Sequence, residues 1–185
     1  DISNKVDGLY IDIAALTADI SEGVGNRNFM DAPAWYSHAT VIRTNYRALA
    51  EPLKELETSS KWSPLISQKG SKCLQERYDS LGMTITRLVA VASDLKLASK
   101  NHLLDSAPIQ VISPLARLLQ NASQTLNPDE ESASRADMNT ETRKTITAAS
   151  STDMPTEELG IISGVAQNAR RLVSLEDTQP LTPIS

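Results

Sequence analysis

The sequence predicts an all-α protein: a single helical bundle of five to six helices around a long central helix at about residues 71–100. The main observation is periodicity, because apolar residues recur in steps of three and four, which keeps them on one face of a helix. The central segment has such a face, made of Leu74, Tyr78, Leu81, Ile85, Leu88, Ala92 and Leu95. Composition agrees, since only 4% of the residues are aromatic and β-sheets are rich in aromatic and β-branched residues.

The first half of the chain contains two further helices in this prediction. Residues 3–24 form an amphipathic helix that Gly23 and Gly25 terminate. Residues 34–56 form the second helix, with a kink at Pro52, whose ring removes one helical hydrogen bond. A polar connection at residues 58–68 then leads into the central helix.

The second half is less regular. A helix is predicted over residues 107–126, in which Pro114 either produces a kink or begins a new helix behind Ser113, and the kink is favoured. Residues 129–151 are polar and predict a partly exposed helix followed by a loop, and a final helix covers residues 155–175. The chain is therefore interpreted as one helical domain at 1–175 with a C-terminal tail at 176–185.

Charge and hydropathy exclude several classes of protein. A net charge of −5 does not suit a general nucleic-acid binder, which needs a basic face. The longest apolar run, residues 88–92, is far shorter than the ~20 residues of a transmembrane helix. We therefore expect a soluble protein that binds no nucleic acid and has no transmembrane segment.

The sequence contains no recognisable catalytic or metal-binding motif. His38 and His102 are interpreted as having neither a carboxylate nor a second histidine three or four residues away, so no metal and no cofactor is expected. Cys73 is the single cysteine, is interpreted as a structural thiol, and suits a cytoplasmic protein. We expect a protein that is not an enzyme.

A glycine inside a helix costs about 1 kcal/mol relative to alanine, and three glycines of the predicted central and last helices are informative for this reason. Gly160 and Gly164 are four residues apart in the last helix, and Gly82 lies in the central one. Such small residues predict a close approach of a neighbouring helix or, alternatively, a face lined by a ligand.

Two functions remain open from the residues alone. In the first, the helices leave an apolar cavity for a fatty acid or other apolar small molecule. Its predicted lining is Leu16, Leu49, Leu53, Leu81, Ile85, Leu88, Val89, Leu115, Leu119 and Ile162, and the predicted head-group residues are Tyr10, Tyr46, Tyr78 and Gln110. In the second, the protein is an effector or adaptor with a solid core. A protein partner then docks on an exposed apolar patch around Phe29, Trp35 and Trp62.

The arrangement of motifs resembles the fungal hydrophobic-surface-binding and cell-wall galactomannoprotein family over about residues 3–150. The similar stretches are the first helix with Asp12-Ile13 and Asp19-Ile20, the Ser63-Pro-Leu-Ile-Ser67 segment, and 108–126 with Leu115-x-x-Leu118 and Ala122-Ser123. The resemblance implies a secreted or cell-wall, all-helical, non-enzymatic domain that holds a fatty acid in a central cavity. Asn121-Ala-Ser123 is a possible glycosylation sequon that suits secretion if it faces outward.

Overall fold

The computed structural model describes residues 1–62, 68–130, 133, 135–173 and 179–184. Its helices are α1 (Ile2–Gly25), a short 3-10 turn (Phe29–Asp31), α2 (Ala32–Arg47), α3 (Ala50–Trp62), α4 (Gln68–Lys100), α5 (Ile109–Leu126), α6 (Arg135–Ser151) and α7 (Thr156–Arg171). No strand occurs in these ranges. The predicted all-α class is therefore confirmed.

Six of the helices pack side by side in a closed ring, in the order α1, α2, α4, α7, α6, α5 and back to α1. Further contacts join α1 to α4 and α5 to α7 across the ring. The predicted central helix is α4, which has 33 residues, a length of about 50 Å, and main contacts with α1, α2, α3 and α7. Helix α3 makes its main contact with α4 and therefore lies outside the ring.

The core is mainly aliphatic, with Phe29, Trp35 and Tyr78 as its aromatic members, and buried hydroxyl groups add directional bonds to it. Ser123 in α5 donates a hydrogen bond of 2.6 Å to the carbonyl of Ala14, and Ser21 in α1 donates one of 2.7 Å to the carbonyl of Ala116. Each helix thus donates one hydrogen bond to the other. Because shifting either helix breaks both bonds, this pair fixes the register between α1 and α5.

The predicted kink at Pro52 is wrong, because the chain breaks into two helices before it. α2 ends at Arg47, residues Ala48 and Leu49 form a turn, and α3 begins at Ala50. Pro52 consequently lies in the first turn of α3, where a backbone N–H has no partner within the helix and its loss costs little. The predicted polar connection is also helical as far as Trp62, and Ser63–Ser67 lie outside the described residues.

Pro114 lies inside one helix, α5, which runs without interruption from Ile109 to Leu126. The alternative in which a new helix starts at Pro114 is therefore wrong.

Helix α6 is better packed than its polar sequence predicted. It contacts α5 and α7 and buries Met138, Thr142, Thr145, Ile146 and Ala149. The two threonine hydroxyls donate hydrogen bonds of 2.8 Å to the carbonyls of Met138 and Glu141, four residues earlier. Because these bonds satisfy the hydroxyls within the helix, the threonines can serve as core residues.

The described part of the C-terminal tail, residues 179–184, is non-helical and lies against α6 and α7. The Gln167 amide donates to the Leu181 carbonyl (2.9 Å) and accepts from the Leu181 N–H (3.2 Å). Arg170 donates to the Gln179 carbonyl, and the Ile184 N–H donates to the Thr147 hydroxyl. The bundle therefore binds the backbone of this segment.

Candidate functional site

Three of the four predicted head-group residues lie close together where α1, α2 and α4 meet. Tyr10 is in α1, Tyr46 in α2 and Tyr78 in α4, and we call them the tyrosine cluster. The rings of Tyr46 and Tyr78 are stacked, with centroids 4.3 Å apart and planes 16° apart. The Tyr78 hydroxyl donates to the Tyr46 carbonyl at 3.1 Å, and the Tyr10 hydroxyl donates to the Arg77 carbonyl at 3.3 Å.

Gly82 makes room for this arrangement. A methyl group on its Cα would lie 2.3 Å from the Tyr46 hydroxyl oxygen and 2.8 Å from the ring carbon that carries it. The Tyr46 ring therefore packs directly on the bare backbone of α4, one turn after Tyr78. The close approach predicted at Gly82 is confirmed, and the group that approaches is a side chain.

The surroundings of Tyr10 and Tyr46 favour the protonated hydroxyl at both residues. Burial raises the pKa of Tyr46, and the neighbouring Tyr78, Asp79 and Tyr10 raise it further. Burial also raises the pKa of Tyr10, which the nearby Arg77 partly offsets. All of these shifts favour the protonated hydroxyl.

Arg77 adds a positive charge beside the cluster. Its guanidinium lies 5.6 Å from the centre of the Tyr10 ring and forms an ion pair with Asp7. The sequence analysis missed this pair, because Asp7 and Arg77 are 70 positions apart and only the packing of α1 on α4 brings them together.

Nine of the ten predicted lining residues are buried side chains of the aliphatic core, and Val89 is half-buried against it. The nine are Leu16, Leu49, Leu53, Leu81, Ile85, Leu88, Leu115, Leu119 and Ile162. Both a ligand cavity and a filled core require such burial, so the lining assignment stays a prediction.

A small pocket of about 130 Å³ opens beside Tyr10 and is lined in part by Thr84, Leu126 and Leu172. Ligand pockets typically have volumes of about 300–1,000 Å³. A long apolar ligand would therefore need space beyond this pocket.

Helix α3 does not line this pocket with any of its described residues, and it makes its main contact with α4. Leu53 is the one buried side chain among residues 50–59 of α3, and Leu49 is buried in the turn before it. Both leucines belong to the same core as Tyr78, Leu81 and Ile85 of α4. Lifting α3 would uncover this apolar strip next to the tyrosine cluster.

The other predicted polar positions lie elsewhere. Gln110 is exposed in the first turn of α5 and is not part of the tyrosine cluster. Asn121 is half-buried in α5, and the hydroxyl of Ser123 in the same sequon is engaged with α1. The outward orientation that a glycan needs is therefore met only in part.

The exposed apolar patch predicted for a protein partner is wrong at two of its three residues. Phe29 is 2% exposed and Trp35 is 5% exposed, so both are core residues. The side chain of Trp62 lies outside the described part of the structure.

The structure also shows the surroundings of the cysteine and of the two histidines. Cys73 is exposed on α4, so its interpretation as a structural, buried thiol is wrong. His102 lies 3.5 Å from Asp105, a carboxylate three residues away that the sequence analysis overlooked, and His38 is exposed. Within the described ranges no group of three or more metal-ligating side chains occurs, and no helix is long and apolar enough to cross a membrane.

The two glycines of α7 differ from Gly82. A methyl group at Gly160 would meet no atom within 4 Å, so the close approach predicted there is wrong. At Gly164 a methyl group would lie 3.1 Å from a carboxylate oxygen of Asp94 in α4. Gly164 therefore faces a half-buried aspartate, whose pKa is raised by burial.

Comparison with known proteins provides no relative for this chain. No protein-family model, no curated protein and no solved structure matches it.

Proposed function

We propose that this protein is a non-enzymatic binding protein for a fatty acid or other apolar small molecule, which enters under α3 with its polar end at the tyrosine cluster. The observation that carries the proposal is the grouping of Tyr10, Tyr46 and Tyr78 beside the apolar strip that begins at Leu49 and Leu53. Secretion to the cell exterior or the cell wall is part of the same proposal, and a cytoplasmic location is its alternative.

The polar end of the site suits a carboxylate. The Tyr10 and Tyr78 hydroxyls donate to backbone carbonyls in the unliganded protein, and on binding they would exchange these acceptors for the carboxylate. The exchange is favourable because charge-assisted hydrogen bonds are about twice as strong as neutral ones. The Arg77 guanidinium lies beside Tyr10 and is paired with Asp7, so it can attract a carboxylate only where the ligand shares or replaces this ion pair.

The burial that Leu53 would lose is small compared with the burial of an acyl chain. Returning the Leu53 side chain to water costs roughly 1.5–3 kcal/mol, whereas each buried methylene contributes about 0.8 kcal/mol. Four methylenes in place of Leu53 therefore offset the displacement of this side chain. A longer chain gains in proportion to its buried length.

The direct test is native mass spectrometry of the purified protein, followed by organic extraction and titration of the lipid-free protein with palmitate or oleate. We expect stoichiometric binding and a melting temperature that rises with ligand concentration. An unliganded mass with no thermal shift for either fatty acid would refute the proposal and favour a solid-core protein that acts through a protein partner.

Matched variants on α3 locate the site. Leu53→Glu places a charge in the apolar strip, whereas Leu56→Glu places the same charge three residues along α3, where the side chain is already 36% exposed. We expect at least a tenfold loss of affinity for Leu53→Glu and little change for Leu56→Glu. Circular dichroism and a melting curve for each variant check that the fold is retained.

A second pair of variants tests the polar end. Tyr10→Phe removes one hydroxyl donor from the cluster, and Tyr36→Phe removes the hydroxyl of a half-buried tyrosine of α2 that faces Lys96. We expect weaker binding of the fatty acid only for Tyr10→Phe, and a smaller difference for the corresponding fatty alcohol because it carries no charge. Equal affinities for both variants would exclude Tyr10 from the head-group site.

A further inference from the structure

Residues 179–184 lie on a surface of α6 and α7 that holds main-chain atoms. Gln167 and Arg170 of α7 are each 7% exposed, and both bind the backbone of this segment through their side chains. The Thr147 hydroxyl of α6 accepts a further hydrogen bond of 2.9 Å from the Ile184 N–H. We call Thr147, Gln167 and Arg170 the tail site.

The tail site contacts the segment independently of its side chains. The Gln167 amide pairs with both the carbonyl and the N–H of Leu181, as the backbone of a neighbouring β-strand does. The hydrogen bonds from Arg170 and to Thr147 also end on backbone atoms of the segment. An extended peptide of another sequence can therefore form the same bonds, as in other sites that bind a peptide through its main chain.

The segment is preorganised but buries little of its own surface. Pro180 and Pro183 have a fixed φ, and each favours an extended backbone at the residue before it. Leu181 is half-buried, and the other five residues of the segment are exposed. A competing peptide therefore has little apolar burial to replace.

The surroundings of the tail site are basic, whereas residues 179–184 carry no charge. Burial lowers the pKa of Arg170, and nearby positive charges lower it further, those of Arg171, Arg135 and Arg143. Arg143 is one turn before Thr147 on α6 and shares its face. Arg135, Arg143 and Arg170 form no ion pair with any described residue.

Arg170 also has hydrogen-bonding capacity that the segment does not use. Its Nη2 atom donates to the Gln167 side chain and to the Gln179 carbonyl, whereas its Nε atom is buried without a hydrogen-bond partner. Arginine commonly pairs with a carboxylate through two parallel hydrogen bonds. An acidic residue in place of Gln179 would bring a carboxylate beside this guanidinium.

We propose that the tail site binds an acidic, proline-containing, extended segment of a partner protein, and that residues 179–184 are its neutral competitor within the chain. The backbone of the partner takes over the hydrogen bonds of the tail site, and its carboxylates pair with the arginines nearby. Because the resident segment belongs to the same chain, its effective concentration is high, and the partner displaces it through this additional charge attraction. The proposal does not depend on fatty-acid binding at the tyrosine cluster.

Four capped hexapeptides test the recognition in titrations of the full chain. The acidic peptide has the sequence of residues 179–184 with glutamate in place of Gln179 and Thr182, and the neutral peptide has the unchanged sequence. Two further acidic peptides carry an N-methyl group, one on the leucine and one on the second glutamate. The first methyl group removes the donor to Gln167, whereas the Thr182 N–H donates to no described group.

We expect the acidic peptide to bind at least tenfold more tightly than the neutral one and to lose affinity at higher salt. Methylation of the leucine should weaken binding at least tenfold, and methylation of the glutamate should weaken it less than threefold. In the full chain, Leu181→Pro removes the N–H that the resident segment donates to Gln167. This variant should bind the acidic peptide at least threefold more tightly than the wild type, and the control Thr182→Ala should bind it equally.

Charge-matched variants separate the arginines of α6 from the general charge of the protein. Arg135→Gln with Arg143→Gln removes two exposed charges near the tail site. Arg47→Gln with Lys54→Gln removes two exposed charges from α2, which is opposite α6 in the ring, and from α3. We expect at least a tenfold loss of affinity for the acidic peptide in the first pair and less than a threefold loss in the second.

Four results would overturn the proposal. They are equal affinities of the acidic and neutral peptides, equal affinities of the two methylated peptides, equal losses in the two charge-matched pairs, and unchanged affinity in Leu181→Pro. Size-exclusion chromatography adds one further test. A peptide-free dimer that Leu181→Pro converts to a monomer would also contradict the proposal, because the tail of a second copy would then occupy the site.

Discussion

Replacing Gly82 by alanine tests the rigidity of the tyrosine cluster. An alanine Cβ would lie 2.3 Å from the Tyr46 hydroxyl oxygen, whereas ordinary contacts begin near 3.4 Å, so the ring must move by about 1.1 Å. The ring has little freedom to do so, since it is stacked on Tyr78 at 4.3 Å. We expect the substitution to disrupt this stacking and the hydrogen bond from Tyr78 to the Tyr46 carbonyl.

The expected magnitude follows from three contributions. Loss of the stacked pair costs about 0.5–1.5 kcal/mol and loss of the hydrogen bond about 1 kcal/mol. The higher helix propensity of alanine returns about 1 kcal/mol. Gly82→Ala should therefore lower the free energy of unfolding by roughly 0.5–1.5 kcal/mol, measured from urea titrations followed by circular dichroism.

Gly160→Ala is the matched control, because the added methyl group meets no atom within 4 Å in another helix of the same bundle. It should raise the free energy of unfolding by up to about 1 kcal/mol. In the background of Tyr46→Leu, which removes the obstructing ring, Gly82→Ala should no longer destabilise the protein. If Gly82→Ala stabilises the wild-type protein as much as Gly160→Ala does, the tyrosine cluster is not rigid and the reasoning is wrong.

Three further predictions concern a helix end, a half-buried charge and an interhelical bond. His102 follows α4 with a positive φ of 53°, so His102→Gly should raise the free energy of unfolding by about 0.5–1 kcal/mol. Lys100→Gly is the control inside the helix, and it should lower the free energy of unfolding by about the same amount. Thermal melts of both variants measure the difference. Burial raises the pKa of Asp94, so the native state binds the carboxyl proton more tightly than the unfolded state does. The stability that this proton contributes is present at low pH and is lost as the pH rises above 3.8, the ordinary pKa of aspartate. Asp94→Asn should consequently stabilise the protein at pH 7 and much less at pH 3, and urea titrations that find the opposite order would contradict this assignment. Ser123→Ala removes the hydroxyl that donates to the Ala14 carbonyl and should cost about 1 kcal/mol in the same titration, whereas no change would show that this bond does not fix the register of α1 on α5.

The spacing of apolar residues was sufficient to predict the helices, because helical periodicity is a local property. It located α1, the central helix α4, α5 and α7 to within a few residues of their observed bounds. It failed at Pro52, where the local rule for a kink was applied to a residue that lies in the first turn of a separate helix. It also underestimated the burial of α6, because threonines whose hydroxyls donate to carbonyls of their own helix can be buried.

The candidate sites also depend on tertiary packing, which a local pattern does not predict. The sequence identified the three tyrosines as polar groups on apolar faces, and the packing of α1, α2 and α4 then placed them in one cluster. It did not identify Arg77 as their neighbour or the groove that Asp19, Glu22 and Trp35 line between α1 and α2. Trp35 was assigned to an exposed patch, but the adjacent Gly23 allows the ring to be buried.

The sequence by itself thus determined the helical class, the apolar face of most helices and the set of residues available for the core. Only the tertiary structure decided which polar residues meet, such as Asp7 with Arg77 and Ser123 with Ala14, and which glycines are contacted by a neighbouring side chain. The physical reason is that periodicity specifies the direction of a side chain relative to its own helix. The rotation and offset between helices depend on close packing of side chains that are distant in the sequence.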